Sequence, residues 1–383
     1  MEIRTNLAVL ILTSLVSQVV LELPEDGRLD FKGLATKYGY NCDEHAVTTE
    51  DGYILKLFHV AGNRSRPVLL MHGFIDSSDT FTVRGKKSLV SFLASQGYDV
   101  WAGNVRGNRY SRQHIKLDPD GDKEFWDFSY HDFGYYDLPV IIDYVLSKTK
   151  ADKLDAIAHS QGNTIFYVLG SLKPEYNDKV NLLIALGPVG YVNNLPPPWS
   201  VITRAGDAIN AILLALNAEE MFNNQLRTLV QDLCTTQTDL CSVVFGELAG
   251  PDAEEMEPEF FPTLIGHYPT STSRKNGLHM VQNALEENFA QYNYGAQNMK
   301  VYGSKNPPNY DLGKVTMKIA LYTGKNDRMV PVKNVVLLKN QLPNVVEFRV
   351  MKRSKFNHMD HIWGKNMDKY LFPHVLKTLE KNN

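Results

Sequence analysis

The sequence predicts an α/β fold in which a mostly parallel sheet carries helices on both faces and is interrupted by a mainly helical insertion. Three observations carry this. Strand-length apolar runs alternate with helix-length amphipathic runs in both the first and the last part of the chain, the pattern of a parallel sheet covered on two sides. One run, Lys153 to Leu172, passes from strand into helix through a serine flanked by small residues. After Gly187 the alternation stops, to resume only at Lys318.

At 383 residues, 43% hydrophobic and with a formal charge of -3, the chain has room for one large or two modest domains, and nothing in its charge points to nucleic acid. The segment Met1 to Val20 has one Arg, Arg4, ahead of the uncharged run Leu7 to Val20. That run is too short and too early for a membrane span, but it suits a secretory signal peptide, so residues 1–20 are set aside from the fold. Export gives the three cysteines meaning, because disulfides persist in oxidising compartments. Cys234 and Cys241 bracket a short polar loop and are expected to pair, stabilising by roughly 2 to 3 kcal/mol in the chain-entropy model. Cys42 is left over as a buried free thiol. Asn63-Arg64-Ser65 is a glycosylation sequon in a polar loop.

In chain order, Glu44 to Thr49 and Tyr53 to Val60 read as a β-hairpin around Asp51-Gly52. Pro67 to Met71 is a strand, Leu89 to Gln96 a helix, Tyr98 to Ala102 a strand, and Asp132 to Lys148 an amphipathic helix with Pro139 in its first turns. Val180 to Leu186 closes the first core segment, 21–186. The stiff run Leu195-Pro196-Pro197-Pro198-Trp199 then opens an inserted cap, 187–311, that includes a helix over Val201 to Leu216. The second core segment, 312–383, holds the strand Lys318 to Thr323, the helix Pro331 to Gln341, the strand Val346 to Met351 and a last helix after Phe372.

Between strand and helix, Ser160 has Ala158 two residues before it and Gly162 two after. Small residues there let a helix cross its strand closely, and the sharp turn lifts the serine hydroxyl clear of the sheet. The helix N-terminus behind it offers free N–H groups where an oxyanion would form. A serine needs a base, and the base needs a carboxylate to fix its tautomer. Asp327 lies on a loop at the end of the strand Lys318 to Thr323, where such sheets hold their sites. After the next strand comes Phe356-Asn357-His358-Met359-Asp360-His361, in which two histidines compete for the role of base. His72-Gly73-Phe74 follows an early strand, and the N–H groups of Phe74 and Gln161 are the expected oxyanion donors.

Two further motifs read as structure. Asp118-Pro119-Asp120-Gly121-Asp122 is a turn, because its Gly is misplaced for a calcium loop and no Glu closes it. Lys352-Arg353-Ser354-Lys355 reads as a solvated surface run. The chemistry calls for no metal and no cofactor.

Together, His72-Gly73, Gly103-Asn104-Val105-Arg106-Gly107-Asn108 with Ser111, Phe125-Trp126, Tyr136-Asp137-Leu138-Pro139, His159-Ser160-Gln161-Gly162, Gly324-Lys325-Asn326-Asp327 and His358-Met359-Asp360-His361-Ile362-Trp363 resemble the acid lipase family, which includes gastric lipase and lysosomal acid lipase. The resemblance spans nearly the whole mature chain, from Tyr38 to the last helix. It implies an α/β-hydrolase fold with a cap and mobile lid, and hydrolysis of triacylglycerols or sterol esters at a lipid–water interface by a secreted or lysosomal protein. It assigns Ser160 as nucleophile, Asp327 as acid, His358 as base, and Phe74 and Gln161 as oxyanion donors. It selects His358 because the family's base opens its H-L-D-F-I-W motif. This chain departs from the family at His361, which replaces an aromatic, and at Ala158, where the family usually has Gly. An esterase of small soluble esters and a catalytically silent lipid-binding protein stay open as alternatives.

Overall fold

The alternating apolar runs form an eight-stranded sheet in the computed structural model, which describes residues 22–63 and 65–382. The expected signal peptide, Met1 to Val20, lies outside the described residues. Strands β1 (Asp43–Thr48) and β2 (Ile54–Val60) pair antiparallel as a hairpin. Its turn includes Gly52, whose φ of 101° a side chain would strain. Then come β3 (Val68–Met71), α1 (Leu89–Ser95), β4 (Val100–Gly103), α2 (Leu138–Thr149), β5 (Leu154–His159), α3 (Gln161–Leu172) and β6 (Val180–Leu186).

Between β6 and the next strand of the sheet lies a mainly helical insertion. Its chief elements are α4 (Trp199–Arg204), α5 (Gly206–Ala215), β7 (Glu220–Met221), α6 (Asn224–Thr236), α7 (Thr238–Ala249), β8 (Thr272–Ser273) and α8 (Arg274–Leu285). The sheet resumes with β9 (Lys318–Thr323), α9 (Val332–Gln341) and β10 (Val345–Val350), and the chain closes on α10 (Phe372–Lys381). The sheet order is β1-β2-β4-β3-β5-β6-β9-β10, and every pairing from β4 to β10 is parallel.

Strand periodicity explains the two cores. Leu69 and Met71 of β3 join Ala156 and Ala158 of β5 on one face, while Val68 and Leu70 join Ile157 on the other. Successive side chains of a strand point to opposite faces, so a strand covered on both sides is apolar along most of its length. Each fully buried Leu or Ile contributes roughly 1.5–3 kcal/mol.

Four expectations need correction. The helix expected over Asp132 to Lys148 spans Tyr130 to Thr149, but residues Phe133–Asp137 widen into a π turn. Pro139 brings no N–H to the ladder, and Gly134 is pressed so close to Val168 that a Cβ would lie 2.6 Å from its Cβ, so the turn opens rather than continuing as α. The helix expected over Val201 to Leu216 breaks at Ala205 into α4 and α5. There Gly206 abuts Val281, where a Cβ would come within 2.3 Å of Cγ1. The stretch between Cys234 and Cys241 is two helix ends meeting at Gln237, and the disulfide ties α6 to α7. Within the basic run, Arg353 is not a solvated residue, because it is paired with Asp252 and Glu254 of the insertion.

Polar contacts fasten the insertion to the sheet. Asp79, just beyond β3 and fully buried, holds His267 Nδ1 at 2.8 Å and Arg109 Nη1 at 3.0 Å, and accepts from the Tyr110 hydroxyl at 2.6 Å. A buried carboxylate is tolerable only with such pairing.

Candidate active site

Residues expected to act together are collected at the C-terminal edge of the parallel strands. Ser160 follows β5, with φ 54° and ψ -124°, and stands 7% exposed. Its N–H donates to the Leu186 carbonyl at 3.0 Å, and the Asn163 side chain donates to that same oxygen at 3.0 Å. The turn is therefore tied to the end of β6. The close crossing read from the sequence is physical: a Cβ at Gly162 would lie 2.4 Å from the Met71 carbonyl oxygen. Ala158 is accommodated because its register partners are Met71 on β3 and the small Ala185 on β6.

Asp327 and His358 meet as the sequence order suggested. His358 Nδ1 and Asp327 Oδ2 are 2.8 Å apart, both side chains buried. The other carboxylate oxygen, Oδ1, accepts from the N–H groups of Met329 at 2.9 Å and Val330 at 2.6 Å, which fixes the plane of the acid. His358 Nε2, the ring nitrogen opposite Asp327, has no hydrogen-bond partner among the described residues.

His361, the other contender, is placed elsewhere: its Nδ1 donates to the His358 carbonyl at 3.1 Å. His159 Nε2 donates to the same carbonyl, also at 3.1 Å. Two buried imidazoles thus grip the backbone of the residue between them. Burial holds His361 down at about 4 and, with the adjacent His358, holds His159 well below its ordinary value, so both stay neutral donors at moderately acid pH.

On the other side of Ser160 lies the His72-Gly73-Phe74 loop. A Cβ at Gly73 would be 3.0 Å from the Ser160 Cβ, so glycine keeps the space over Ser160 open. His72 Nε2 accepts from the Val105 N–H at 3.3 Å and sits 3.1 Å from the Asn108 amide, while Nδ1 donates to the Gly73 carbonyl at 2.9 Å. It is a structural residue that braces the loop, kept neutral because burial lowers it to about 4. The N–H groups of Phe74 and Gln161 have no acceptor among the described residues. Two residues beyond Phe74, burial raises the Asp76 carboxyl well above its ordinary range.

Sequence reasoning missed several supports. Gly187, at φ 53° just past β6, makes room for the His358 ring: a Cβ there would come within 2.9 Å of His358 Cε1. A glycine ending an apolar strand at the functional edge is a readable signal for such a place. Gly250 ends α7 against the acid's loop, its carbonyl accepting from Asn357 Nδ2 at 2.5 Å. Asn276 of α8 is bonded to Gln161. Above the serine, a cavity of about 700 Å³ is walled by side chains such as Phe74, Val189, Leu213, Val244, Met280 and Val281. Among the described residues no cluster of His, Cys, Asp or Glu could hold a metal ion. The Asp118–Asp122 segment is a turn, with the Gly121 N–H donating to the Asp118 carbonyl at 3.2 Å. Cys42 is buried and free, its thiol pushed up to about 12 by burial.

Comparison with known proteins places this geometry. The α/β hydrolase fold matches residues 66–365, and a partial α/β-hydrolase lipase region matches residues 31–85. Lipase 1 of Drosophila melanogaster is 40% identical over 367 residues, covering 94% of this chain and 81% of that one. Gastric triacylglycerol lipase of Mus musculus is 31% identical over 371 residues, covering 93% of each. Among solved structures, a carboxylesterase of Nitrososphaera gargenis shares the fold, with a TM-score of 0.55 at 12% identity over 88% of this chain and all of that one. With a serine turn, a buried carboxylate–histidine pair and relatives matched over four-fifths or more of their length, the chain belongs to the lipases of the α/β-hydrolase fold.

Proposed function

We propose that the chain is a serine carboxylic-ester hydrolase acting on neutral lipid esters, triacylglycerols and sterol esters, at a lipid–water interface. The observation that carries this reading is the buried Asp327–His358 pair at 2.8 Å, together with a strained Ser160 that lines an apolar cavity. In the reaction, Ser160 Oγ attacks the ester carbonyl as its proton passes to His358 Nε2, and Asp327 stabilises the imidazolium. The oxyanion is met by the N–H groups of Phe74 and Gln161, each such donor being worth about 10²–10³ in rate. His358 returns the proton to the departing alcohol, leaving an acyl-enzyme. It then deprotonates water, which releases the fatty acid and restores Ser160.

The surface of the insertion supports a lipid-facing role. Ile212 on α5, Leu216 just after it, Leu229 on α6 and Val243 on α7 are 60%, 70%, 64% and 63% exposed. Apolar residues massed on one part of a surface mark an interaction site. The insertion acts as a cap and lid that covers the cavity in water and opens against lipid. The same reading carries a secreted or lysosomal location and a glycan on Asn63, which lies exposed in its loop. None of these steps calls on a cofactor or nucleic acid, and no described helix is long and apolar enough to cross a membrane.

A fluorophosphonate probe tests the assignment. It is expected to label wild type at Ser160 and to leave Ser160→Ala unlabelled. Labelling that persists in the variant, or a folded wild type that never reacts, would contradict an activated serine.

A further inference from the structure

The oxyanion donor Gln161 has a side chain that the reaction does not use, and it is not idle. Its Nε2 donates to Asn276 Oδ1 at 3.1 Å, and Asn276 Nδ2 donates back to Gln161 Oε1 at 3.1 Å. Asn276 stands in the first turn of α8, in the insertion, and is fully buried. The Tyr130 N–H reaches Asn276 Oδ1 at 2.9 Å, and Nδ2 also donates to Thr272 Oγ1 at 3.1 Å. Because a backbone N–H can only donate, it fixes which end of the Asn276 amide is oxygen, and this in turn fixes the Gln161 amide. Both donors and both acceptor sites of Asn276 are occupied, so the pair has a single satisfied arrangement.

We infer that Asn276 is a positioning residue for the oxyanion hole, through which the insertion sets the direction of the Gln161 N–H. The inference rests on the serine-hydrolase reading above. Gln161 is the first residue of α3 and follows Ser160, whose φ of 54° is held against its own preference. A side chain anchored at its far end limits rotation of the peptide that carries the N–H. The same helix turn reaches the other donor residue, because a Cβ at Gly277 would be 3.7 Å from the Phe74 ring and 2.9 Å from Met221 Sδ. The first turn of α8 therefore bonds Gln161 and lies close to the Phe74 ring, and the insertion is a working part of the catalytic centre as well as a cover. Placement within a few tenths of an ångström is what makes such donors effective.

The test uses Gln161→Met, which keeps the backbone N–H and the side-chain length but loses the amide, together with Asn276→Ala and the double variant. Steady-state kinetics on a soluble p-nitrophenyl ester are read beside inhibition by an alkyl boronic acid, which mimics the tetrahedral state. Gln161→Met is expected to lower kcat by about tenfold or more and to weaken the boronic acid by a similar factor, with KM within twofold. Asn276→Ala is expected to do the same, and the double variant to add nothing further. Gln161→Met leaves Asn276 its bonds to Tyr130 and Thr272, so it carries the test if Asn276→Ala fails to fold. A folded Gln161→Met with wild-type kcat, or one changed only in KM, would overturn the inference. If wild type itself turned over no ester and bound no boronic acid, the serine-hydrolase reading would fail instead.

Discussion

At Ser160 the backbone sits in a region that costs a non-glycine residue on the order of 1–3 kcal/mol. That strain is held by bonds to Leu186 and by the close seat of Gly162, and it explains why a turn recognisable from five residues also has a measurable energetic signature. Ser160→Gly and Ser160→Ala are both expected to be inactive. By relieving φ, Ser160→Gly is expected to be more stable than Ser160→Ala by about 1 kcal/mol in urea unfolding. Equal stabilities would mean that no strain is stored there. His361 allows a second prediction, because burial keeps its folded value at about 4 against an ordinary 6.5. Between these values the unfolded chain binds more protons than the folded one, so this group's contribution declines as pH falls from 6.5 to 4. The full loss is about 3 kcal/mol, from 1.36 kcal/mol per unit. His361→Phe loses the bond to the His358 carbonyl, about 1 kcal/mol at pH 7, and escapes the acid penalty. Its stability relative to wild type should therefore improve from pH 7 to pH 4, whereas a constant difference would contradict the assignment. The meeting of Asp327 with His358 was legible in the sequence, since in this fold a serine turn is followed in chain order by an acid and then a histidine. The grip of His159 and His361 on one carbonyl was not, because it joins residues far apart in the chain through a backbone atom that sequence does not mark.

Elements were read best where the apolar period had one interpretation. Strands β3, β5, β6 and β9 fall within a residue of the predicted runs because a strand buried on both faces is apolar along most of its length. Helices failed where a glycine or proline answered to a distant neighbour: Gly134 to Val168, and Gly206 to Val281. Neither contact lies within the window that periodicity reads. The crossing of α3 over β3 can be tested at the same scale. In Gly162→Ala the new methyl would lie 2.4 Å from the Met71 carbonyl oxygen and 2.7 Å from that of His72, both backbone atoms that cannot rotate away. The expected cost is about 1–3 kcal/mol of stability, with a larger fractional loss of kcat because His72 leads directly into the oxyanion loop. Circular dichroism melting and ester kinetics on the purified variant check this. A variant as stable and as active as wild type would show that the crossing has slack.

Taken as a whole molecule, the chain pairs a rigid sheet with an insertion whose inner face lines the cavity and whose outer face exposes leucine, isoleucine and valine. That an insertion existed was legible from the loss of alternation after Gly187. Its docking was not, because it depends on long-range pairs such as His267 with Asp79 and Arg353 with Asp252. A lipid-opened cap should make turnover rise sharply once an ester exceeds its solubility limit. Replacing Leu216, Leu229 and Val243 together with Ser should flatten that rise while sparing turnover of a dissolved short-chain ester. Equal losses on dissolved and emulsified ester would argue against a lipid-facing surface. Whether Ser160 hydrolyses neutral lipid esters is decided by fatty acid release from emulsified triacylglycerol and cholesteryl ester at acid and neutral pH, comparing wild type with Ser160→Ala. Wild type is expected to release fatty acid and the folded variant none. No release by folded wild type from either ester, or undiminished release by Ser160→Ala, would contradict that expectation.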